Sequence, residues 1–329
     1  MPVVRTLQTE WPHANLTWVI GKTEAALVGD IPDIEFIIFD KAVGWRAYRD
    51  LHRRLRDRRF DVLLHMQVSL RANLASLCVP AAVRLGFDKT RAKDYQYLFT
   101  TDRIEANPRV HVLDGFFQFL EALGIKQRVL RWDIPLSAND RAFAASKVHP
   151  AQPLIVISPC SSQRWRNYRN WSAENYAAVA DYASERYQAR VVLSGAATTH
   201  ERAYGERICA LTRTAPQNLI GQTSLKQLLA LLERATLVIC PDSAPAHMAT
   251  AVQTPVVGVY ATANPARSGP YLSQQWVVNK YPEAVRMEFG KTVDELPWGK
   301  RVRNPEAMRL PTVADVTEKL DQLLGQRGS

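Results

Sequence analysis

Residues 237–260 read LVICPDSAPAHMATAVQTPVVGVY. An apolar run ends in Cys240-Pro241 and delivers an acid, a hydroxyl and an imidazole, on Asp242, Ser243 and His247, to the start of a small-residue helix opening near Ala244. A helix N-terminus offers free N–H groups and the positive end of the peptide dipole, so it favours an anion. Capping accounts for one short polar side chain there. It does not account for the imidazole, nor for the second polar loop ATANPARSGPY at residues 261–271. Contact with an anionic ligand is the expected chemistry.

Two further loops carry matching residue types. The segment ISPCSSQRWRNYRNWSAENY, residues 157–176, offers Ser161, Ser162, Arg164, Arg166 and Arg169 with no acid among them. Hydroxyls and guanidinium groups after a strand suit a phosphate or diphosphate. The bland alternative is a basic surface loop with Ser172 as a plain helix cap. The segment VVLSGAATTHERAYGERI, residues 191–208, places Gly195 where a ligand or neighbouring backbone comes close, and Glu201 at a helix start. A carboxylate in that position suits a ribose diol. An ordinary strand–helix turn reads equally well.

Such loops need a scaffold that presents them together. Short apolar strands are predicted over 16–20, 36–39 and 62–66, then 154–157, 190–194, 219–220, 237–239 and 256–260. Helical patterns fall over 3–10, 44–59, 70–85 and 110–123, then 172–187, 199–213, 224–233, 244–252 and 312–325. Strand–helix alternation predicts an α/β fold with parallel sheets covered on both faces. The Pro-containing segment from Trp132 to Pro153 reads as a boundary. It gives a first domain over 1–145 and a second over 146–329, two doubly wound units with a cleft between them. Ligands in such sheets sit beyond the carboxyl ends of the strands, where the three loops lie.

Composition narrows the class. The 329 residues are 47% hydrophobic with net charge +10. Residues 1–150 hold 22 Lys/Arg against 17 Asp/Glu and the remainder 20 against 15, so neither half owns the excess. Locally, Arg46, Arg49, Arg53, Arg54, Arg56, Arg58, Arg59 and Arg71 face only Asp50, Asp57 and Asp61. That stretch suits an anionic partner such as a membrane surface, or else a solvated helix face. An RNP-like aromatic motif, a zinc pattern and a basic tail are all missing, which argues against nucleic acid. Cys78, Cys160, Cys209 and Cys240 stand far apart without a CxxC pair, which points to reduced thiols in a cytoplasmic protein. Neither a secretory signal nor an apolar span long enough for a membrane is read.

The loop order SPCSS…RNW, LSGAATTHE, CPDSAPAHMA, TPVVGVYATANPARSGPY resembles the bacterial lipopolysaccharide heptosyltransferases, glycosyltransferase family 9. The family pattern D-[ST]-G-x-x-H-x-A reads here Asp242-Ser243-Ala244-Pro245-Ala246-His247-Met248-Ala249, with alanine for glycine at Ala244 and Ala261. Gly269-Pro270-Tyr271 completes it. The insert QRWRNYRNW and the tail KTVDELPWGKRVRNPEAM resemble the OpsX-type branch, which acts on a phosphorylated Kdo. The resemblance implies a GT-B fold of two Rossmann-like domains. It implies ADP-L-glycero-D-manno-heptose as donor, Kdo-lipid A as acceptor, and inverting transfer with neither metal nor cofactor.

By motif position, Asp242, Ser243, Ala244 and His247 would meet diphosphate and sugar, and Ser161 and Ser162 the phosphate side. Arg169 would offset charge on the leaving ADP, Glu201 would bind ribose, and Thr223 would lie near adenine. Charge alone makes Arg71, Lys89, Arg91 and Lys93 acceptor candidates and Arg53–Arg59 candidates for the inner-membrane surface. The family's first strand and the loop carrying its general-base aspartate are expected upstream of Met1, leaving the neighbouring strand with a raw edge. The alternatives are another nucleotide-sugar transferase of the same fold and a sugar-nucleotide binder without the base.

Overall fold

The computed structural model describes residues 1–148, 152–163 and 165–325, so Arg164 lies outside the described residues. The chain divides into two units, Met1–Pro135 and Leu136–Ser329.

In the first unit, α1 (Pro2–Glu10) precedes β1 (Leu16–Gly21), α2 (Lys22–Val28), β2 (Ile34–Phe39) and α3 (Arg46–Leu55). Then come β3 (Phe60–Leu64), α4 (Leu70–Ser76), β4 (Ala81–Gly86), β5 (Asp102–Arg103) and α5 (Val112–Glu121). Helix α3 forms because Ala47, Leu51 and Leu55 recur every four residues and bury one stripe. Its arginines take the other face. Arg53 pairs with Asp50 at 2.8 Å, and beyond the helix Arg56 pairs with Asp57 at 3.2 Å and Arg58 with Glu35 at 2.6 Å. Part of the basic stretch is therefore balanced locally.

The helix expected over 70–85 is instead α4 followed by β4. Pro80 cannot donate a helical hydrogen bond and pushes its predecessor toward extended backbone. The following AAVRLG then pairs in parallel with β3. The strands form two ladders, β1–β2 and β3–β4–β5. Among the described residues no ladder joins β1 to β3. Even so, Leu16 and Leu64 share the cluster under α1 and α5, and Val19 and Leu63 share the one under α3. Each of these two strands thus keeps one unpaired edge.

The second unit opens with α6 (Ala138–Ala145), β6 (Leu154–Ile157), α7 (Ala173–Tyr187), β7 (Arg190–Leu193), α8 (Thr199–Leu211) and β8 (Gln217–Asn218). It continues with α9 (Leu225–Arg234), β9 (Leu237–Pro241), α10 (Ala244–Ala251), β10 (Val256–Tyr260) and α11 (Pro265–Ser268). The last elements are β11 (Val278–Asn279), α12 (Tyr281–Phe289) and α13 (Val313–Gly325). Helix α6 packs on α9, and Arg141 reaches Glu233. The boundary therefore falls before α6 rather than after residue 145.

The six parallel strands run in the order β11-β10-β9-β6-β7-β8. Strands β6, β9 and β10 are buried along their whole length, as expected when helices cover both faces of a sheet. Trp171, Tyr176, Leu193, Ile239, Tyr281 and Leu320 belong to one core around them. Burying each such side chain contributes about 1.5–3 kcal/mol. Strand order reverses between β6 and β9, which is the crevice position of doubly wound sheets. No described helix is long and apolar enough to cross a membrane.

Candidate active site

The loops after β6 and β9 flank that reversal, and a polar chain joins them. Asn170 Oδ1 accepts from the Ser161 amide at 2.8 Å and from Ser161 Oγ at 3.0 Å. Asn167 donates through Nδ2 to Ser161 Oγ at 3.0 Å and to the Ser162 carbonyl at 2.6 Å. Arg169 Nε donates to Asn167 Oδ1. Arg169 Nη1 donates to the Asp242 carbonyl at 2.8 Å and to Asp242 Oδ2 at 3.0 Å. This side of the chain is held in place because Trp171, next along, is fully buried and donates Nε1–H to the Pro311 carbonyl at 2.9 Å.

A second arginine, which sequence reasoning missed, completes the cluster. Arg301 Nη1 donates to the same Asp242 Oδ2 at 3.1 Å. Its position is fixed from both sides. Tyr281 Oη donates to the Lys300 carbonyl at 2.7 Å, and the Val302 amide donates to the Thr262 carbonyl at 3.1 Å. Arg267 is the third cation. A Cβ on Gly299 would lie 3.1 Å from Arg267 Nε, so the bare backbone there leaves room for the guanidinium. The Arg267 guanidinium forms no hydrogen bond or ion pair among the described residues, although its backbone amide donates to the Asn264 carbonyl. Burial, then the like charge of Arg301, lowers it from its ordinary value.

Asp242 is only 7% exposed, and its Oδ2 takes both guanidinium bonds. Its Oδ1 has no partner among the described residues. Two further buried polar atoms, Tyr260 Oη at the end of β10 and Asn264 Nδ2 in the loop after it, have no partner among the described residues. Burial raises the Tyr260 phenol well above its usual value, and Asp242 adds to this while Arg169 and Arg301 oppose it. That coupling puts the phenol within electrostatic reach of the cluster. Three guanidinium groups against one carboxylate leave two surplus positive charges.

Helix α10 begins beside this cluster with its cap unused. Ser243 occupies the N-cap position without a side-chain cap bond, and its Oγ donates instead to the Pro241 carbonyl at 3.2 Å. Ala244 and His247 stand exposed on the first turn. Neither Ser243 nor any other side chain caps α10 in the usual way.

The remaining donor candidates follow along the same sheet edge. Glu201 on α8 is buried and accepts the Ala196 amide at 2.7 Å. A Cβ on Gly195 would come 2.6 Å from that carboxylate, so a side chain there would displace Glu201 from the Ala196 amide. Thr223 is half-buried just before α9. Asp242, Ser161, Glu201 and Thr223 thus follow four neighbouring strands, β9, β6, β7 and β8. At about 4.8 Å per strand they cover about 14 Å. An open cleft of about 560 Å³ beside the first loop is lined by Ser161, Asn167, Tyr168, Asn170 and His200 among others. Nearby, burial pushes Cys160 and Cys240 up to about 12.

The acceptor candidates lie in the first unit and differ from one another. Arg71, Lys89 and Lys93 are exposed, and their side chains form no hydrogen bond or ion pair among the described residues. Arg91 is committed to structure. It pairs with buried Asp88, donates to Gln118 Oε1 at 2.6 Å and to the Glu105 carbonyl at 2.9 Å.

The family model for glycosyltransferase family 9 (heptosyltransferase) matches residues 48–298. The chain is 37% identical over 323 residues to the lipopolysaccharide core heptosyltransferase OpsX of Haemophilus influenzae, with 98% of this chain and 92% of that one covered. Two solved structures share the fold. The family 9 glycosyl transferase of Veillonella parvula superposes with TM-score 0.77 at 21% identity, covering 99% of this chain and 92% of that one. The ADP-heptose LPS heptosyltransferase II of E. coli superposes with TM-score 0.70 at 19% identity, covering 100% and 95%. The chain belongs to glycosyltransferase family 9, and it is a glycosyltransferase of lipopolysaccharide core assembly.

Proposed function

We propose that the chain transfers L-glycero-D-manno-heptose from ADP-L-glycero-D-manno-heptose to a Kdo residue on lipid A, plain or phosphorylated, with inversion at the anomeric carbon. The observation that carries this reading is the cluster in which Arg169 and Arg301 share one oxygen of Asp242 beside Arg267. Two surplus positive charges at a strand-order reversal suit a diphosphate. The stepwise series along four strands suits an extended ligand: diphosphate at β9 and β6, ribose at Glu201, adenine at Thr223.

In transfer, the acceptor oxygen bonds to the anomeric carbon while the bond from that carbon to the β-phosphate oxygen breaks. The electron pair leaves with ADP, and the acceptor proton passes to a base or to water. Charge grows on the diphosphate, where guanidinium groups already fixed by Asp242 need no reorganisation to meet it. These cations take the part that a divalent ion plays in other phosphate-leaving reactions, which makes the reaction metal-independent. The partnerless Oδ1 of Asp242 accepts a sugar hydroxyl. Arg71, Lys89 and Lys93 meet the carboxylate and phosphate of the acceptor, and the protein works as a peripheral enzyme on the inner face of the inner membrane.

The test is heptose transfer from ADP-heptose to Kdo-lipid A and to its Kdo-phosphate form, with and without EDTA, alongside calorimetric titration with ADP. Transfer unaffected by EDTA upholds the reading. ADP binding without transfer to either acceptor replaces it with the sugar-nucleotide binder, and absence of ADP binding refutes the site.

A further inference from the structure

Helix α4 turns two very different faces outward and inward. Asn73 and Ser76 are buried, whereas Leu70, Leu74 and Leu77 are 50%, 42% and 61% exposed. Spacings of four and three residues put the leucines on one side, a turn apart. The segment after Lys93 is fastened beside them. Asp94 accepts the Leu70 amide at 2.9 Å through Oδ2, and its carbonyl accepts from Asn73 Nδ2 at 2.7 Å. There Gln96 is buried and donates to the carbonyls of His65 and Gln67, while Tyr95 and Leu98 project with 66% and 69% exposure.

The backbone is held to do this. Asp94 and Tyr95 have φ of +50° and +60°. That left-handed region is uncommon for bulky residues and persists where surroundings enforce it. The outward placement of Tyr95 is thus imposed by the bonds around it. Exposed Arg71 and Lys93 adjoin Leu70 and Asp94 in sequence and form no ion pair among the described residues, while Asp94 Oδ2 accepts the Leu70 amide.

Monomeric soluble proteins seldom expose several large apolar side chains together. Apolar side chains bordered by unneutralised cations match the boundary of an anionic bilayer, where leucine enters the headgroup region and Arg or Lys meets phosphate. A second copy is a poorer occupant, because a two-fold contact would bring Arg71 and Lys93 against their own equivalents. We propose that the face formed by α4 and residues 94–98 docks the protein onto an anionic lipid bilayer. Its purpose rests on the lipid-linked acceptor of the proposed function, though the observations behind it do not.

The experiment is co-sedimentation of the full chain with vesicles of phosphatidylglycerol and phosphatidylethanolamine, and with vesicles of phosphatidylcholine alone. Binding to the first and not the second is expected, weakening as salt screens the charges. Leu74→Ser with Leu77→Ser should lower partitioning at least ~10-fold with an unchanged melting profile. Arg71→Glu with Lys93→Glu should abolish the preference for anionic lipid. The leucine variant should transfer heptose to a deacylated, water-soluble acceptor at the parent rate.

Parent-like vesicle binding by both variants overturns the proposal, as does failure of the parent to bind anionic vesicles. A parent dimer that the leucine variant converts to a monomer overturns it in favour of a second copy. Vesicle binding that depends on this face, in a protein that transfers to no acceptor, upholds the docking surface and removes the transferase reading alone.

Discussion

Arg301→Ala isolates the least expected part of the cluster. It removes one of two guanidinium groups on Asp242 and halves the surplus charge from two to one. The Arg301 side chain is 43% exposed, so solvent screens it, and a full buried-pair energy does not apply. A charge-assisted contact to a diphosphate at such a site contributes about 1–2 kcal/mol. That corresponds to a loss of about 5- to 30-fold in ADP affinity and in kcat/KM. Arg169 is 12% exposed and carries three hydrogen bonds, so Arg169→Ala should cost about 3 kcal/mol, roughly a hundredfold. The assay is calorimetric titration with ADP at two ionic strengths, paired with initial rates of heptose transfer. Both variants should also lose part of the salt dependence of binding. If Arg301→Ala binds ADP and turns over like the parent, the guanidinium serves only to anchor the tail, and the reasoning from surplus charge fails.

Asp242→Asn should separate binding from chemistry: transfer falls at least ~100-fold, while ADP binding holds or tightens because a negative charge has left the site. Weaker ADP binding in that variant would show that Asp242 acts mainly by positioning its arginines. Iodoacetamide on the folded protein should label Cys78 and Cys209 slowly and leave Cys160 and Cys240 untouched, since burial holds those two near 12. All four should be labelled in urea, as peptide mass spectrometry reads directly. His65 gives a pH signature. Burial, then the Arg84 charge, lowers its pKa against the Asn73 hydrogen bond, so the folded state prefers the neutral ring. Asn73 Nδ2 already donates to the Asp94 carbonyl, so its Oδ1 faces His65 Nε2–H and Nδ1 is the nitrogen that titrates. Its contribution is full above about pH 6.5 and is lost as pH falls toward the lowered folded value. Urea midpoints across that window should drop in the parent and drop less in His65→Gln; identical slopes would show that other groups set the acid sensitivity.

Much of the second unit was legible because β6, β7, β9 and β10 are short, largely buried apolar runs and helices α7, α8 and α9 open on a capping side chain. Ser172, Thr198 and Ser224 all accept a backbone N–H at a helix start, and those starts fell within a residue or two of expectation. The first unit was less legible where one pattern serves two states. The residues of β4, Ala81–Gly86, continue the small and apolar character of α4, and only Pro80 marks the change. Helix α2 was missed because seven residues bury only Val28, which is too little for a periodic signal. Helix α6 was not read as a helix, and its residues were left in the first domain because nothing in their sequence shows that they lie on α9.

The site divides along the same physical line. Asp242, Ser243 and His247 were readable because the strand that delivers them and the helix that receives them adjoin in sequence. Arg301 was not, because it reaches Asp242 from 59 residues away through bonds made by Tyr281 and Val302. The basic tail was noticed as a family likeness, yet a run such as GKRVR reads as solvated charge until something packs against it. A local signal does exist: Gly299 stands two residues before Arg301, and Tyr281 is an aromatic at a helix start with a hydroxyl that needs an acceptor once buried. Neither identifies its partner. What the sheet brings together is a carboxylate with one oxygen holding two arginines and the other left over. That division explains why a single acid suffices in a loop otherwise suited to anions. Replacing it by alanine would both release the cations and remove the one acceptor positioned for a sugar hydroxyl, whereas asparagine removes the charge and keeps an oxygen. The two substitutions therefore separate its parts: the fall in transfer from parent to asparagine, at equal ADP affinity, measures what the negative charge contributes, and the further fall from asparagine to alanine measures what the remaining oxygen contributes.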